Sequence, residues 1–192
     1  MRGRPKVIAT KSIYSGWFKV REDSLEMPGL SHLYPYGIIK VDNGVAVLPF
    51  LDRKNLVLAK QYRHPRGDDF LELIQGGIKP GESKVDAAFR ELREETGYEA
   101  GKLEHLTSIC LMPGSLDHVL DFYVATNLRS IGKQSLEPAE HLEVVIRPYK
   151  NVLDEVIANK HTDGALNIGI LRYELLSRRN ILDRLVQFMY SF

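Results

Sequence analysis

Cysteine is nearly absent: Cys110 is the only one in 192 residues. One thiol excludes an intramolecular disulfide and any multi-cysteine zinc site, and it suits a reducing compartment, so a cytoplasmic location is expected. Charge of one sign is also lacking in excess. The 26 basic and 25 acidic side chains leave a net charge of +1, which gives no whole-molecule ground for binding nucleic acid or a membrane surface. No apolar run approaches the roughly 20 residues that span a bilayer. The N-terminal MRGRPKVIATKS is basic but has no apolar core, so it reads as a solvated tail and not as a signal peptide. Internal repeats and low-complexity segments are missing too.

What is present suits one domain, or one domain with a small extra piece. Hydrophobic residues make up 44%, enough for a packed core. Residues 13–41 read as strand-rich, with a break at Met27-Pro28-Gly29-Leu30. Asp42-Asn43-Gly44 is a turn signal, and it sets a boundary between a strand-rich segment, 1–41, and a main domain, 42–192. Beyond it, GVAVLPFLD and NLVLAKQY read as a hairpin around Asp52-Arg53-Lys54. DFLELI, LEHLTSICLM, HVLDFYVATN and HLEVVIRPY read as further strands. Residues 83–96 read as a helix, and 151–192 as helical with weak points at Gly164 and Gly169. The pattern predicts an α/β or α+β layered domain, a mixed sheet with helices on its faces.

The helix at 83–96 carries dense charge. Ser83 suits its cap, with Asp86 three residues on, and Val85, Ala88, Phe89 and Leu92 form a core-facing stripe. Glu91 and Glu95 are four apart and Glu94 is three from Glu91, so three carboxylates converge on one flank. Gly97 is a stop signal. Close carboxylates repel, and a hard divalent cation relieves the repulsion. Carboxylate oxygens are the ligands magnesium prefers, with waters and substrate phosphates completing its shell. For a bare Glu-Glu pair, a solvated face with Arg90 and Glu94 paired is the commoner outcome.

The wider spacing separates these readings. Gly76 is followed after five residues by Glu82, after seven more by Arg90-Glu91-Leu92, after one by Glu94-Glu95, and after one by Gly97-Tyr98. This resembles the Nudix box, GX5EX7REUXEEXGU, in which U is a bulky aliphatic residue. All seven fixed positions and the first U match. A chance match at one start position has a probability on the order of 10⁻⁹ from average residue usage. Tyr98 departs from the usual aliphatic residue, a difference that touches packing and not metal binding.

The resemblance implies a Nudix hydrolase: an α/β/α sandwich with a mixed sheet, whose loop–helix–loop box binds Mg²⁺, or Mn²⁺ in its place, and which hydrolyses a nucleoside diphosphate linked to another moiety. It implies Glu91, Glu94 and Glu95 as metal ligands, direct or through water. Glu82 would assist, the backbone carbonyl of Gln75 would be a further ligand, and Arg90 would orient a carboxylate. Charge on the diphosphate repels a water nucleophile, so a carboxylate cluster serves such chemistry only through metal ions.

Features outside the box are similar to ADP-ribose pyrophosphatases and other nucleoside diphosphate sugar hydrolases. Pro113-Gly114 stands where that group carries a marker proline; as bare sequence it is also an ordinary turn. Met112 replaces the serine usual before it, and His118 stands where many relatives have glutamate. The N-terminal segment resembles one whose strands are exchanged in a homodimer and whose aromatics stack on the base. Trp17, Tyr34 and Tyr36 are the candidates here, with core or dimer packing as the alternative. Arg63 in QYRHP matches a phosphate-binding arginine, a fork suited to a diphosphate; a surface ion pair is the alternative.

Similar enzymes deliver a glutamate from a mobile loop to activate water or complete the metal shell. Glu140 is the choice, Glu137 the second, and Glu143 reads as a solvent-facing strand residue. The remaining histidines read as surface or hydrogen-bonded groups. The expectation is therefore a Mg²⁺-dependent pyrophosphatase of nucleoside diphosphate sugars, with ADP-ribose first, giving AMP and ribose 5-phosphate. It would be a homodimer that binds neither nucleic acid nor membrane. GDP-mannose or broad nucleotide-sugar hydrolysis is the rival, for which Gln75 in place of a common alanine leaves room. A non-catalytic module that senses a nucleotide sugar is the rival from another class.

Overall fold

The computed structural model describes residues 3–136, 138, 140–158 and 160–189. In chain order the elements are β1 (Lys6–Ser15), β2 (Lys19–Glu26), β3 (Tyr34–Lys40), β4 (Gly44–Pro49), β5 (Asn55–Arg63), β6 (Asp68–Glu72), β7 (Ile74–Gly77), α1 (Lys84–Thr96), β8 (Tyr98–Ile109), β9 (Leu116–Asp117), β10 (Leu120–Ser130), β11 (Leu142–Pro148), α2 (Tyr149–Ile157) and α3 (Gly164–Met189). They form two compact units, Met1–Gly44 with Ser108–Leu120, and Val45–Thr107 with Asp121–Phe192.

The first unit is a sheet in the order β1-β2-β3-β9. Its first three strands are antiparallel, and β9 runs parallel to β3. The stretch read above as a solvated tail is largely the strand β1. Val7, Ile8, Thr10 and Ile13 favour an extended backbone, and β2 supplies a ladder from Lys6↔Glu26 to Ser15↔Lys19. The side chains along β1 are exposed, so composition alone resembled a tail. Buried Asp23 on β2 accepts a hydrogen bond from Thr10 Oγ1 at 2.7 Å and ties the two strands together.

The second unit contains two sheets, β7-β4-β10-β8 and β11-β5-β6. Every position of β4 is buried, as expected of a strand covered on both faces. The expected hairpin forms only at its turn. Asp52 accepts from the Lys54 and Asn55 amides at 2.7 and 2.8 Å, and Phe50 bridges Leu56. Beyond that bridge β4 and β5 enter different sheets, because both are apolar runs with two faces to cover. DFLELI likewise divides at buried Leu73 into β6 in one sheet and β7 in the other. That switch sets Glu72 and Gln75 at the junction.

Ala87, Ala88 and Leu92 of α1 join Val45, Val47, Ile74 and Ala125 in the core. Val85, assigned to the core stripe from its spacing, is 43% exposed. The buried face is rotated so that it includes Glu91 and Glu95. Gly169 lies inside α3 and is a packing contact: a Cβ there would come within 2.8 Å of Leu73 Cδ1. Asp163 caps α3 by accepting from the Ala165 and Leu166 amides at 3.2 and 2.7 Å. Among the described residues no helix is long and apolar enough to cross a membrane.

Candidate active site

The charged helix is fastened at both ends. Ser83 has extended backbone geometry and accepts from the Asp86 amide at 3.1 Å, while its hydroxyl donates to the Asp86 carboxylate at 2.6 Å. Lys84 reaches buried Asp121 of β10 at 2.8 Å. At the other end Gly97 adopts φ 69°, and its N–H returns to the Arg93 carbonyl. The carbonyls left open by the last turn meet the loop after β10. Ile131 N–H donates to Gly97 at 2.9 Å, Ser135 N–H to Glu94 at 2.8 Å and Gln134 Nε2 to Glu95 at 2.7 Å.

Arg90 sits amid the carboxylates. Its Nε and Nη2 donate to the two oxygens of Glu82 at 2.7 and 2.8 Å. Nη1 donates to Glu91 at 2.6 Å and to Glu94 at 3.2 Å, and Nη2 also reaches the Gly77 carbonyl at 2.9 Å. The guanidinium holds the Glu82 carboxyl down to about 2. Those carboxylates in turn raise Arg90 further above its ordinary value, so it stays charged.

Glu91 and Glu95 are 7% and 6% exposed, unusual for carboxylates. Burial pushes Glu91 up although Arg90 pulls the other way. Glu95 is pushed up to about 9, first by burial and then by Glu91 and Glu140, with the Gln75 N–H opposing. Glu140 also raises Glu91, so its charge is felt by both carboxyls. Glu137 lies outside the described residues. Glu143 is exposed on β11 opposite Lys60. Gly76 leaves room for Glu91: a Cβ on it would overlap the carboxyl group.

Among the described residues no three acidic, histidine or cysteine side chains form a ready-made metal cage. Arg90 stands between Glu82, Glu91 and Glu94 instead. The donor set still fits a hard cation. It is all oxygen, and burial together with neighbouring carboxylates raises Glu91 and Glu95, so a divalent ion bound there would take the place of their protons and offset the charge they then carry.

Arg63 at the end of β5 is held by Glu72. Its Nε and Nη2 donate to the two carboxylate oxygens at 2.7 and 2.5 Å. Glu72 is 2% exposed, and Gln75 Nε2 donates to it at 3.1 Å and to Asp163 at 3.3 Å. Neither Glu72 nor Asp163 stood out in the sequence. The available signal was an acidic residue inside the apolar run DFLELI, at a position where burial was due.

The other candidates belong to the first unit. Tyr36 donates its hydroxyl to the Gly114 carbonyl at 2.5 Å. Tyr36, Pro113 and Gly114 line a cavity of about 340 Å³ with Arg21 and Ile38. His118 Nδ1 lies 2.8 Å from the Asp42 carbonyl, which fixes the ring. Trp17 is 82% exposed and makes an edge contact with Phe18, so it is not a core residue; Tyr34 is exposed as well.

A family model described as "NUDIX domain" matches residues 40–163. The chain is 35% identical over 124 residues to a methanol dehydrogenase activator of Bacillus methanolicus, covering 64% of this chain and 66% of that protein. It is 33% identical over 144 residues to an ADP-ribose pyrophosphatase of Bacillus subtilis, covering 73% and 76%. The match thus spans just under two thirds of the first relative and about three quarters of the second. A crystal structure of an ADP compounds hydrolase superposes with a TM-score of 0.80 over 94% of this chain and 97% of that one, at 22% identity, a likeness of fold.

Proposed function

The chain belongs to the Nudix family, and on that premise we propose that it is a Mg²⁺-dependent pyrophosphatase of nucleoside diphosphate sugars, with ADP-ribose as first substrate. At the coarser level it is a Nudix-type pyrophosphatase, a hydrolase of phosphoanhydride bonds in nucleoside diphosphate-linked compounds. The observation that carries the metal-dependent reading is the pair of buried carboxylates, Glu91 and Glu95, on α1. Uncompensated burial of like charges is unfavourable, and a divalent ion with an anionic ligand is the simplest remedy.

Glu91, Glu94 and Glu95 would hold Mg²⁺, or Mn²⁺, with Glu82 and the Gln75 carbonyl assisting. Bound there, the ion supplies neutralisation of diphosphate charge and a more acidic water. Arg90 holds Glu82, Glu91 and Glu94 in one arrangement and so orients them. Arg63 offers a guanidinium to the diphosphate. Glu140 takes the proton of the attacking water from the loop side. Trp17, Tyr34 and Tyr36 offer faces for a base, Pro113 and Gly114 line the pocket around Tyr36, and His118, held against the Asp42 carbonyl, is a further candidate for substrate binding. The exposed apolar side chains of the first unit, Val7, Ile13 and Trp17 among them, support a homodimer with exchanged strands. The single cysteine suits a cytoplasmic enzyme.

Gln75 and His118 leave room for GDP-mannose, or several nucleotide sugars, as the second reading. Initial rates with Mg²⁺ on ADP-ribose, GDP-mannose, ADP-glucose, UDP-glucose, NADH and diadenosine polyphosphate separate the two. A lead for ADP-ribose supports the first. A lead for GDP-mannose keeps the mechanism and changes the base. Glu94→Gln separates an enzyme from a sensor: the enzyme loses most turnover while staying folded, and the sensor keeps its ligand response.

A further inference from the structure

The junction at Leu73 brings one residue into contact with carboxylates from three parts of the fold. Gln75 donates through Nε2 to Glu72 on β6 and to Asp163 ahead of α3, and its backbone N–H faces Glu95 on α1. Glu72 is buried, and both of its oxygens are taken by Arg63. Two of the three guanidinium nitrogens are therefore fixed against the protein. The Nη1 edge is not part of this clamp, and the arginine side chain remains 43% exposed.

As a purely structural device this arrangement is poor. Desolvating a carboxylate against one half-exposed arginine returns little net stability, and an apolar residue of similar volume commonly does as well. Fixing the direction of a guanidinium is what the clamp does well, because the planar fork turns only as a unit.

We propose that Glu72 is a positioning residue for substrate binding: locked by Gln75, it fixes Arg63 so that the Nη1 edge meets the diphosphate, and Gln75 keeps that edge in register with Glu95. This rests on the reading of Arg63 as the partner of the diphosphate. Preorganisation of this kind strengthens binding by removing the conformational freedom that an unclamped arginine would lose on contact.

The test measures, with Mg²⁺ present, affinity for the α,β-methylene analogues of ADP-ribose and GDP-mannose by calorimetry, alongside KM and kcat. The variants are Glu72→Gln, Gln75→Met, Arg63→Ala, and the first two combined with Arg63→Ala. Glu72→Gln is expected to weaken binding roughly tenfold, the scale of one charge-assisted hydrogen bond, and to raise KM more than it lowers kcat. Gln75→Met is expected to weaken binding about threefold, less than Glu72→Gln, because Arg63 keeps both of its bonds to Glu72. Neither loss should add to that of Arg63→Ala.

Losses of equal size with Arg63 in place and in the Arg63→Ala background overturn the proposal, since a merely structural role does not depend on the arginine. Weakened binding in Arg63→Ala with none in Glu72→Gln overturns the proposal alone. Unchanged binding in Arg63→Ala overturns the diphosphate role of Arg63 and the proposal with it. Should Glu72→Gln fail to fold, Gln75→Met decides by the same comparison of backgrounds.

Discussion

Gly76 and Glu91 share a space that leaves no room for a side chain on the strand: a Cβ on Gly76 would overlap the carboxyl group of Glu91. The glycine is required here for close approach and not for a turn. It lets β7 run against α1 while a carboxylate stays between them.

Gly76→Ala is therefore expected to displace Glu91 and lower kcat/KM on the order of 10²-fold, the scale of a misplaced metal ligand. Steady-state kinetics over a Mg²⁺ series checks this. A shifted half-saturating concentration of Mg²⁺ ties the loss to the metal.

The Glu95 carboxyl, raised to about 9 by burial, then Glu91 and Glu140, predicts a pH dependence. Below that value it holds a proton that a bound cation must displace. The apparent Kd for Mg²⁺ should fall roughly tenfold per pH unit from neutrality and flatten above about 9. The sign for stability is opposite in the chelated protein. With the folded pKa above the unfolded 4.5, the contribution is fully present below about 4.5 and is lost as pH rises through about 9. Calorimetry at several pH values, with and without chelator, checks both.

Gln134 links the acidic loop to the Glu95 carbonyl at 2.7 Å. Gln134→Ala should lower kcat about fivefold, the equivalent of one neutral hydrogen bond. KM should change little, on the proposal that Glu140 of this loop acts on the attacking water and makes no contact with the base. The comparison with Glu140→Gln, expected to cost much more, checks that the effect runs through the loop.

Gly97 faces the Gly132 carbonyl, which a Cβ would approach to 2.5 Å, and its φ is 69°. Gly97→Ala should destabilise by about 2 kcal/mol or more, from the left-handed backbone and the contact together. Urea denaturation measures it.

The local signals in the sequence were legible. The cap at Ser83, the stop at Gly97 and the spacing from Gly76 to Gly97 need only neighbours a few residues away, and they hold in the structure. The decisions that depend on distant partners were not legible. Helix patterning turns carboxylates outward, so the burial of Glu91 and Glu95 at the expense of Val85 was invisible to it. The division of DFLELI at Leu73, and the parting of β4 from β5, depend on which sheet covers which face. β1 needed β2 as a partner before its exposed residues became a strand. Glu72 was hidden because its partner Arg63 lies nine residues away on another strand.

On the proposed function, the buried carboxylates on α1 hold a divalent cation for hydrolysis of a nucleoside diphosphate sugar. The most direct test is release of nucleoside monophosphate from ADP-ribose and GDP-mannose as Mg²⁺ is titrated, in the natural protein and in Glu95→Gln. Turnover should require the metal, stop on chelation, and fall on the order of 10²-fold or more in a variant that remains folded. Turnover that persists under chelation or in Glu95→Gln, or nucleotide-sugar binding without any turnover, would contradict it.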